Sequence, residues 1–330
     1  MYVITGGAGF IGSVVAAALE QPEGPPQTVI VDHFGKTSKW RNVAKRNPVE
    51  FLRPDQLLDF LDDHAEDITA VIHIGANPDT TERDVDHLLE NNVCYTMSLF
   101  NWCADHQKRF IFASSAATYG DGAHGFDDRQ DMGYLNKLRP LNPYGWSKSL
   151  VDKQIVQAAR QPPGWVSLKF FNVYGPNEYH KGRGGSVIQH AYNQIIQDGT
   201  VRLFKSHRSD YEDGGQMRDF VYVKDVARII LWLLQNHDVS GIYNIGTGEA
   251  RSFNDLAKTV FKAMKKKPKI EYIDTPQDIR NKYQYFTEAK MDKLNLAISA
   301  KNTKPLAFHS LEDGITDYVQ NYLMQEDPYL

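Results

Sequence analysis

Met1-Tyr2-Val3-Ile4-Thr5-Gly6-Gly7-Ala8-Gly9-Phe10-Ile11-Gly12 opens the chain. A short apolar run meets three glycines spaced Gly6-x-x-Gly9-x-x-Gly12, and a helical pattern follows from about Phe10 to Glu20. Glycine lets a backbone turn tightly and approach a pyrophosphate, and the N-terminus of the next helix faces that anion. Asp32 closes the second apolar run, Thr28-Val29-Ile30-Val31-Asp32, 20 residues after Gly12. An acid that binds a ribose hydroxyl belongs there. Strand, turn, helix, strand and acid together predict a dinucleotide site at Gly6, Gly9, Gly12 and Asp32. His33, Lys36, Lys39 and Arg41 come next. One or two of these bases would neutralise a 2′-phosphate and make the cofactor NADP, whereas Asp32 alone favours the free ribose of NAD. NADP is preferred and NAD stays open.

The alternation continues. Ala70 to Ile74, Arg109 to Ala113 and Val166 to Phe171 read as buried strands, with helical stretches at Val85–Asp105 and Gly145–Arg160 between them. Near-continuous apolar strands alternating with helices imply a parallel sheet covered on both faces. Later come a helix near Asp225–Asn236, one more core strand at Ile242–Ile245, an amphipathic helix at Phe253–Met264, the solvated run Lys265-Lys266-Lys267 and a last helix near Leu311–Leu323. The fold class is therefore α/β: a Rossmann-type, doubly wound parallel sheet with a smaller C-terminal substrate-binding lobe. The expected division is 1–170 with about 222–248 and 287–298 in the dinucleotide-binding part. About 171–221, 249–286 and 299–330 form the lobe.

Bulk composition narrows the classes. The 330 residues are 42% hydrophobic and 24% charged, with a net charge of −4, so a nucleic-acid partner is not expected. Two cysteines, Cys94 and Cys103, cannot build a disulfide framework, and no His/Cys cluster suggests a metal. No basic leader precedes the first strand, and the longest apolar run, Ile229–Leu234, is far too short to cross a bilayer. A cytoplasmic protein with no membrane association is the expectation.

The chemistry sits in Asn142-Pro143-Tyr144-Gly145-Trp146-Ser147-Lys148. Tyr144 and Lys148 share a helix face. A phenol of pKa ~10 is a poor base at neutral pH, and the neighbouring ammonium would lower it and hold a cofactor ribose. Ser114-Ser115, about 30 residues upstream at a strand end, offers a hydroxyl for the substrate oxygen. Gly75-Ala76-Asn77 follows another strand at its carboxyl end, where ligands bind in such sheets. Asn91 and Asn92 interrupt a helical stretch with a poor helix former. Arg218, beside a strand, suits a phosphate. Lys181 read alone is a loop lysine.

Beyond the glycine turn, Ala113–Gly120, Tyr144-x-x-x-Lys148, Phe171–Pro176, Arg218–Val223 and Tyr243–Gly248 resemble the extended short-chain dehydrogenases/reductases, a superfamily acting largely on nucleotide sugars. The likeness covers nearly the whole chain. Within it, His180-Lys181-Gly182 and Lys282–Thr287 are most similar to the ADP-heptose 6-epimerases, an NADP-linked isomerase group that supplies heptose for the lipopolysaccharide core. The resemblance implies that Tyr144 and Lys181 are two acid/bases, Ser115 the assisting hydroxyl, and Lys148 the ribose holder. It implies cofactor contacts at Phe10, Ile11, His33, Lys39, Arg53, Ile74, Gly75, Ala76, Asn77, Asn91, Val173 and Lys181. Asn172, Arg183, His190, Phe204, Arg218 and Tyr283, with Ser115, would surround the ADP-heptose. A homo-oligomer is implied, with a pentamer among the candidate forms.

Three stretches depart from that group. His33 stands in place of asparagine, Arg183-Gly184-Gly185 replaces a smaller run, and Ser206–Met217 is longer and more acidic. Two other readings remain: a nucleotide-sugar 4-epimerase, and a non-catalytic cofactor-binding protein. A dehydratase is disfavoured because Ala116-Ala117 stands where those enzymes carry an Asp-Glu pair.

Overall fold

The computed structural model describes residues 1–20, 24, 27–280, 284–301 and 306–330. Tyr283, expected near the substrate, lies outside them. Its strands are β1 (Tyr2–Thr5), β2 (Thr28–Val31), β3 (Glu50–Leu52), β4 (Ala70–His73), β5 (Arg109–Ser115), β6 (Val166–Phe170), β7 (Asn172–Tyr174), β8 (Val201–Phe204), β9 (Met217–Tyr222), β10 (Gly241–Ile245), β11 (Ala250–Ser252) and β12 (Ile270–Ile273).

Seven of them form the main sheet in the order β10-β6-β5-β4-β1-β2-β3, every neighbour parallel. The chain winds outward from β1 to β3, then returns to start again at β4. Right-handed crossovers in the two directions set helices on opposite faces. Strands β2, β4, β5 and β6, and the edge strand β10, are buried nearly throughout because both faces are covered, so they lack the alternation of a half-exposed strand. Edge strand β3 is mostly exposed and carries no such apolar run. The order reverses between β1 and β4, and that crevice is where a doubly wound sheet binds its ligand.

Several elements differ from the expected bounds. The stretch 85–105 stays helical but is π-helical at Leu89–Cys94, around Asn91 and Asn92. The helix carrying Tyr144 starts two residues earlier than expected and spans Pro143–Gln157. Asn142 caps it by accepting from Gly145 N at 2.8 Å, and Pro143 opens its first turn. After β6 the chain leaves the main sheet at Phe171. It pairs as β7 with β9 in a three-stranded sheet, β11-β9-β7, and β8 pairs with β12 in a third. It then returns to the main sheet at β10, in register Tyr243↔Leu168. The excursion between β6 and β10 carries the chain over the carboxyl ends of the sheet. Among the described residues no helix is long and apolar enough to cross a membrane.

A polar network lies in the core directly behind the carboxyl end of β5. Lys169 and Asp152 are 3.3 Å apart, each 1% exposed in its side chain. Asp152 also accepts from Ser114 (2.9 Å) and Ser167 (2.7 Å), and Lys169 donates to Thr118 Oγ1 at 2.8 Å. A buried pair is tolerable only when its remaining donors and acceptors are met in this way.

Candidate active site

The glycine turn is a backbone cradle. Gly6 has φ +64°, and a methyl at Gly12 would sit 2.2 Å from the Gly6 carbonyl oxygen. One at Gly6 would meet Gly75 Cα, across the switch point, at 2.7 Å. Helix Phe10–Leu19 starts from Gly9 with no side-chain cap. Tight turn, uncapped N-terminus and absent Cβ atoms together fit a pyrophosphate. Asp32 is buried just past β2. It accepts from Ala8 N at 2.9 Å, from His33 N at 2.7 Å, and from the Lys39 ammonium. His33 and Arg53 are exposed, and Arg53 is paired with Asp55.

Tyr144 and Lys148 lie one turn apart. Gly145 between them lets the helix approach Ala117, whose carbonyl would be 2.7 Å from an added methyl. The spacing leads one to expect the Lys148 ammonium to lower the Tyr144 phenol. In this structure Lys148 Nζ donates to the Ala113 carbonyl at 2.8 Å. Burial pushes the phenol up, and the nearby Ser115 hydroxyl opposes that push. Burial also lowers Lys148, to about 8, against the charge of Asp152. Of the serine pair, Ser114 is committed to Asp152 while Ser115 faces the site.

A cavity of about 390 Å³ brings these groups together. Phe10, Ile11, Ile74 and Ala76 line it together with Ser115, Tyr144 and Lys148, and with Asn172, Val173 and Lys181. A second cavity, about 800 Å³, shares Ser115, Tyr144 and Asn172 and runs outward to Arg218, Gln284 and Thr80–Arg83. The two cavities adjoin at Ser115, Tyr144 and Asn172. Lys181 reaches the cavity on the loop after β7, its Nζ 5.2 Å from the centroid of the Phe10 ring. Burial lowers its pKa and Glu178 opposes.

Not every expected residue converges. Arg183, His190 and Phe204 are not among the residues lining either cavity. Arg183 is exposed, and its carbonyl is 3.3 Å from His190 Nε2. The positive φ of Gly182 (+53°) turns the chain so that Gly184 and Gly185 reach the cavity instead. The acidic stretch after β8 folds on itself, with Asp213 accepting from Ser206 N and Asp210 pairing with Arg208. Asn91 bonds His87 rather than the cofactor side. Its neighbour Asn92 is the buried one. Asn92 bonds Asn77 N (2.8 Å) and Asn77 O (3.0 Å), and Ser147 Oγ at 3.1 Å, tying the β4 turn to the Tyr144 helix. A π-helical turn shifts which side chain faces inward, so register alone could not separate the two asparagines. Among the described residues no group of three or more His, Cys, Asp or Glu side chains is placed to hold a metal ion.

Comparison with known proteins adds independent findings. The model of the NAD dependent epimerase/dehydratase family matches residues 2–246. The chain is 51% identical over 332 residues to an ADP-L-glycero-D-manno-heptose-6-epimerase of Nitratidesulfovibrio vulgaris (strain DP4), covering 100% of both proteins. It is 47% identical over 338 residues to a protein of the same name from Fusobacterium nucleatum, again covering 100% of both. Among solved structures it resembles the crystal structure of Helicobacter pylori ADP-L-glycero-D-manno-heptose-6-epimerase. The TM-score is 0.76 at 27% identity, covering 97% of this chain and 95% of that one.

Proposed function

The chain belongs to the NAD dependent epimerase/dehydratase family, and from that premise we propose that it inverts carbon 6 of ADP-D-glycero-D-manno-heptose to give ADP-L-glycero-D-manno-heptose. Its full-length relatives are named for this nucleotide-sugar epimerase activity. One observation carries the reading: two proton-carrying side chains, Tyr144 and Lys181, on the wall of one cavity. The hydrogen on carbon 6 of a secondary alcohol is not acidic. Its configuration is inverted by oxidation to the ketone and reduction from the opposite face. A nicotinamide cofactor held beside the cavity would supply the hydride acceptor and donor for the two steps.

This chain's side chains manage the proton. Tyr144, assisted by Ser115, exchanges the hydroxyl proton in one orientation of the sugar, and Lys181 does so in the other. Lys181 suits the task because burial lowers its pKa from the usual lysine value, toward working pH. General acid–base help of this kind contributes on the order of 10²–10⁴ in rate. Gly6, Gly9 and Gly12 would hold the pyrophosphate, Asp32 and Lys39 the adenosine ribose, and Lys148 the nicotinamide ribose. The cation on Asp32 supports NADP over NAD, since it offers a charge partner for a 2′-phosphate. Arg218 and Asn172, on the outer cavity, face the nucleotide sugar.

The same reading divides the chain into a dinucleotide-binding part at 1–170, about 222–248 and 287–298, and a substrate lobe from the rest. It also includes a homo-oligomer. Incubation with ADP-D-glycero-D-manno-heptose, with UDP-glucose as control, tests the activity. Inversion at carbon 6 is expected. Turnover of UDP-glucose alone would replace the reading with a 4-epimerase.

A further inference from the structure

The loop that delivers Lys181 is held by one buried carboxylate. Glu178 is fully buried, and its two oxygens reach both ends of the loop. Oε1 accepts from Gly175 N (3.4 Å) at the near end and from Ser186 Oγ (2.6 Å) at the far end. Oε2 accepts from Ser186 N at 2.6 Å. Ser186 in turn caps the helix Val187–Gln197 by accepting from Gln189 N. Between the anchors the Glu178 carbonyl accepts from Lys181 N at 3.0 Å, setting the turn from which the lysine side chain leaves. Burial pushes the pKa of this carboxyl up, and the donors of Ser186 and Gly175 together with the charge of Lys181 oppose that push.

We propose that Glu178 is the positioning residue for Lys181: it closes the loop around a fixed span and supplies the buried counter-charge that keeps the ammonium over the cavity. The proposal rests on Lys181 being the second acid/base. Other titratable groups face this pair. His180, on the same loop, is lowered to about 4 by burial, Lys39 and Lys181. Tyr179 on the loop and Tyr318 from the helix Leu311–Tyr318 both lie within the field of Glu178. Tyr144 and Lys148 stand across the cavity. Among the charges that act on Lys181, Glu178 is the one that favours the protonated form.

Glu178→Gln keeps the side chain's size and removes the charge. Without it the Lys181 pKa falls further. The same fall appears on opposite limbs of the pH–rate profile in the two directions of reaction. It is on the alkaline limb where Lys181 gives the proton and on the acid limb where it takes it. Both limbs are expected to move to lower pH. The kcat should drop by on the order of tenfold or more, with KM for the sugar little changed. A profile that stays in place overturns the proposal whatever happens to kcat, because Glu178 would then be a structural staple alone.

Lys181→Met separates the two claims. An inactive Lys181→Met with an unshifted Glu178→Gln profile sinks only this inference. A Lys181→Met that epimerises at near the normal rate sinks the Lys181 reading and this inference with it. Should Glu178→Gln fail to fold, Ser186→Ala decides. It removes the Oγ donor to Glu178 and the helix cap while the Ser186 N–H bond and the charge stay, so the far end of the loop is loosened and kcat should fall with both limbs unmoved. An unchanged kcat in that variant overturns the proposal.

Discussion

Gly12→Ala tests the cradle where its geometry is tightest. The added methyl would lie 2.2 Å from the Gly6 carbonyl oxygen, 2.8 Å from the Gly6 carbonyl carbon and 2.9 Å from Gly7 Cα. All three are backbone atoms, so no side chain can rotate away. Reaching even the short end of normal contact, ~3.2–3.5 Å, needs about 1 Å of movement between the helix start and the turn. Overpacking of this kind costs about 1–3 kcal/mol. If the turn opens, the cost falls on the pyrophosphate contacts, and the Kd for the dinucleotide rises about 5- to 150-fold. If the helix moves instead, the cost appears as lost stability. Fluorescence titration with NADP and thermal melting together capture both. Gly133→Ala is the control, since its added methyl would meet only the Asp131 side-chain oxygen, at 3.2 Å. A Gly12→Ala protein that binds within twofold of the parent and melts with it would refute the argument.

The remaining predictions follow from other contacts. Lys39→Glu puts a second negative charge beside Asp32, so it should weaken NADP far more than NAD in paired titrations; equal weakening would remove Lys39 from the 2′ position. Lys169→Met leaves Asp152 buried without its cation, and breaking such a pair costs about 3–5 kcal/mol in urea unfolding. Little change would mean that Ser114 and Ser167 suffice. Lys148, lowered to about 8 when folded, binds its proton less tightly there than in the unfolded chain. Its contribution to stability therefore rises as pH climbs from about 8 toward its unfolded value of ~10.4 and is missing at lower pH. Lys148→Met should flatten that rise in pH-dependent melts, and identical slopes would contradict the burial argument.

How much of this was legible beforehand depends on the kind of signal. The glycine turn, Asp32 and the apolar runs of β1, β2, β4, β5 and β6 announce themselves, because a strand buried on both faces must be apolar nearly throughout. The return of Tyr243–Ile245 to the sheet was readable for the same reason. Edge strand β3 was not, since Glu50 and Phe51 are exposed and carry no pattern. Spacing singled out Tyr144, Lys148 and the pair Ser114-Ser115, and the family resemblance singled out Ser115 within the pair. The partner of each was not legible, because spacing cannot show that Lys148 spends its ammonium on Ala113 or that Ser114 turns inward to Asp152. Lys181 needed the family resemblance, and its cavity position depends on a loop closed by Glu178, a residue with no local motif. Arg183 and His190 share the sequence neighbourhood of Lys181, but the turn at Gly182 separates them from the cavity.

The central claim is that carbon 6 is inverted by removal and return of the same hydride, with Tyr144 and Lys181 handling the proton. The most direct measurement uses ADP-D-glycero-D-manno-heptose carrying deuterium at carbon 6, followed by NMR in ordinary water with only the cofactor the protein carries. The account predicts conversion to the L-glycero epimer with the deuterium kept at carbon 6. Absence of conversion, or conversion with the label washed out to solvent, would contradict it.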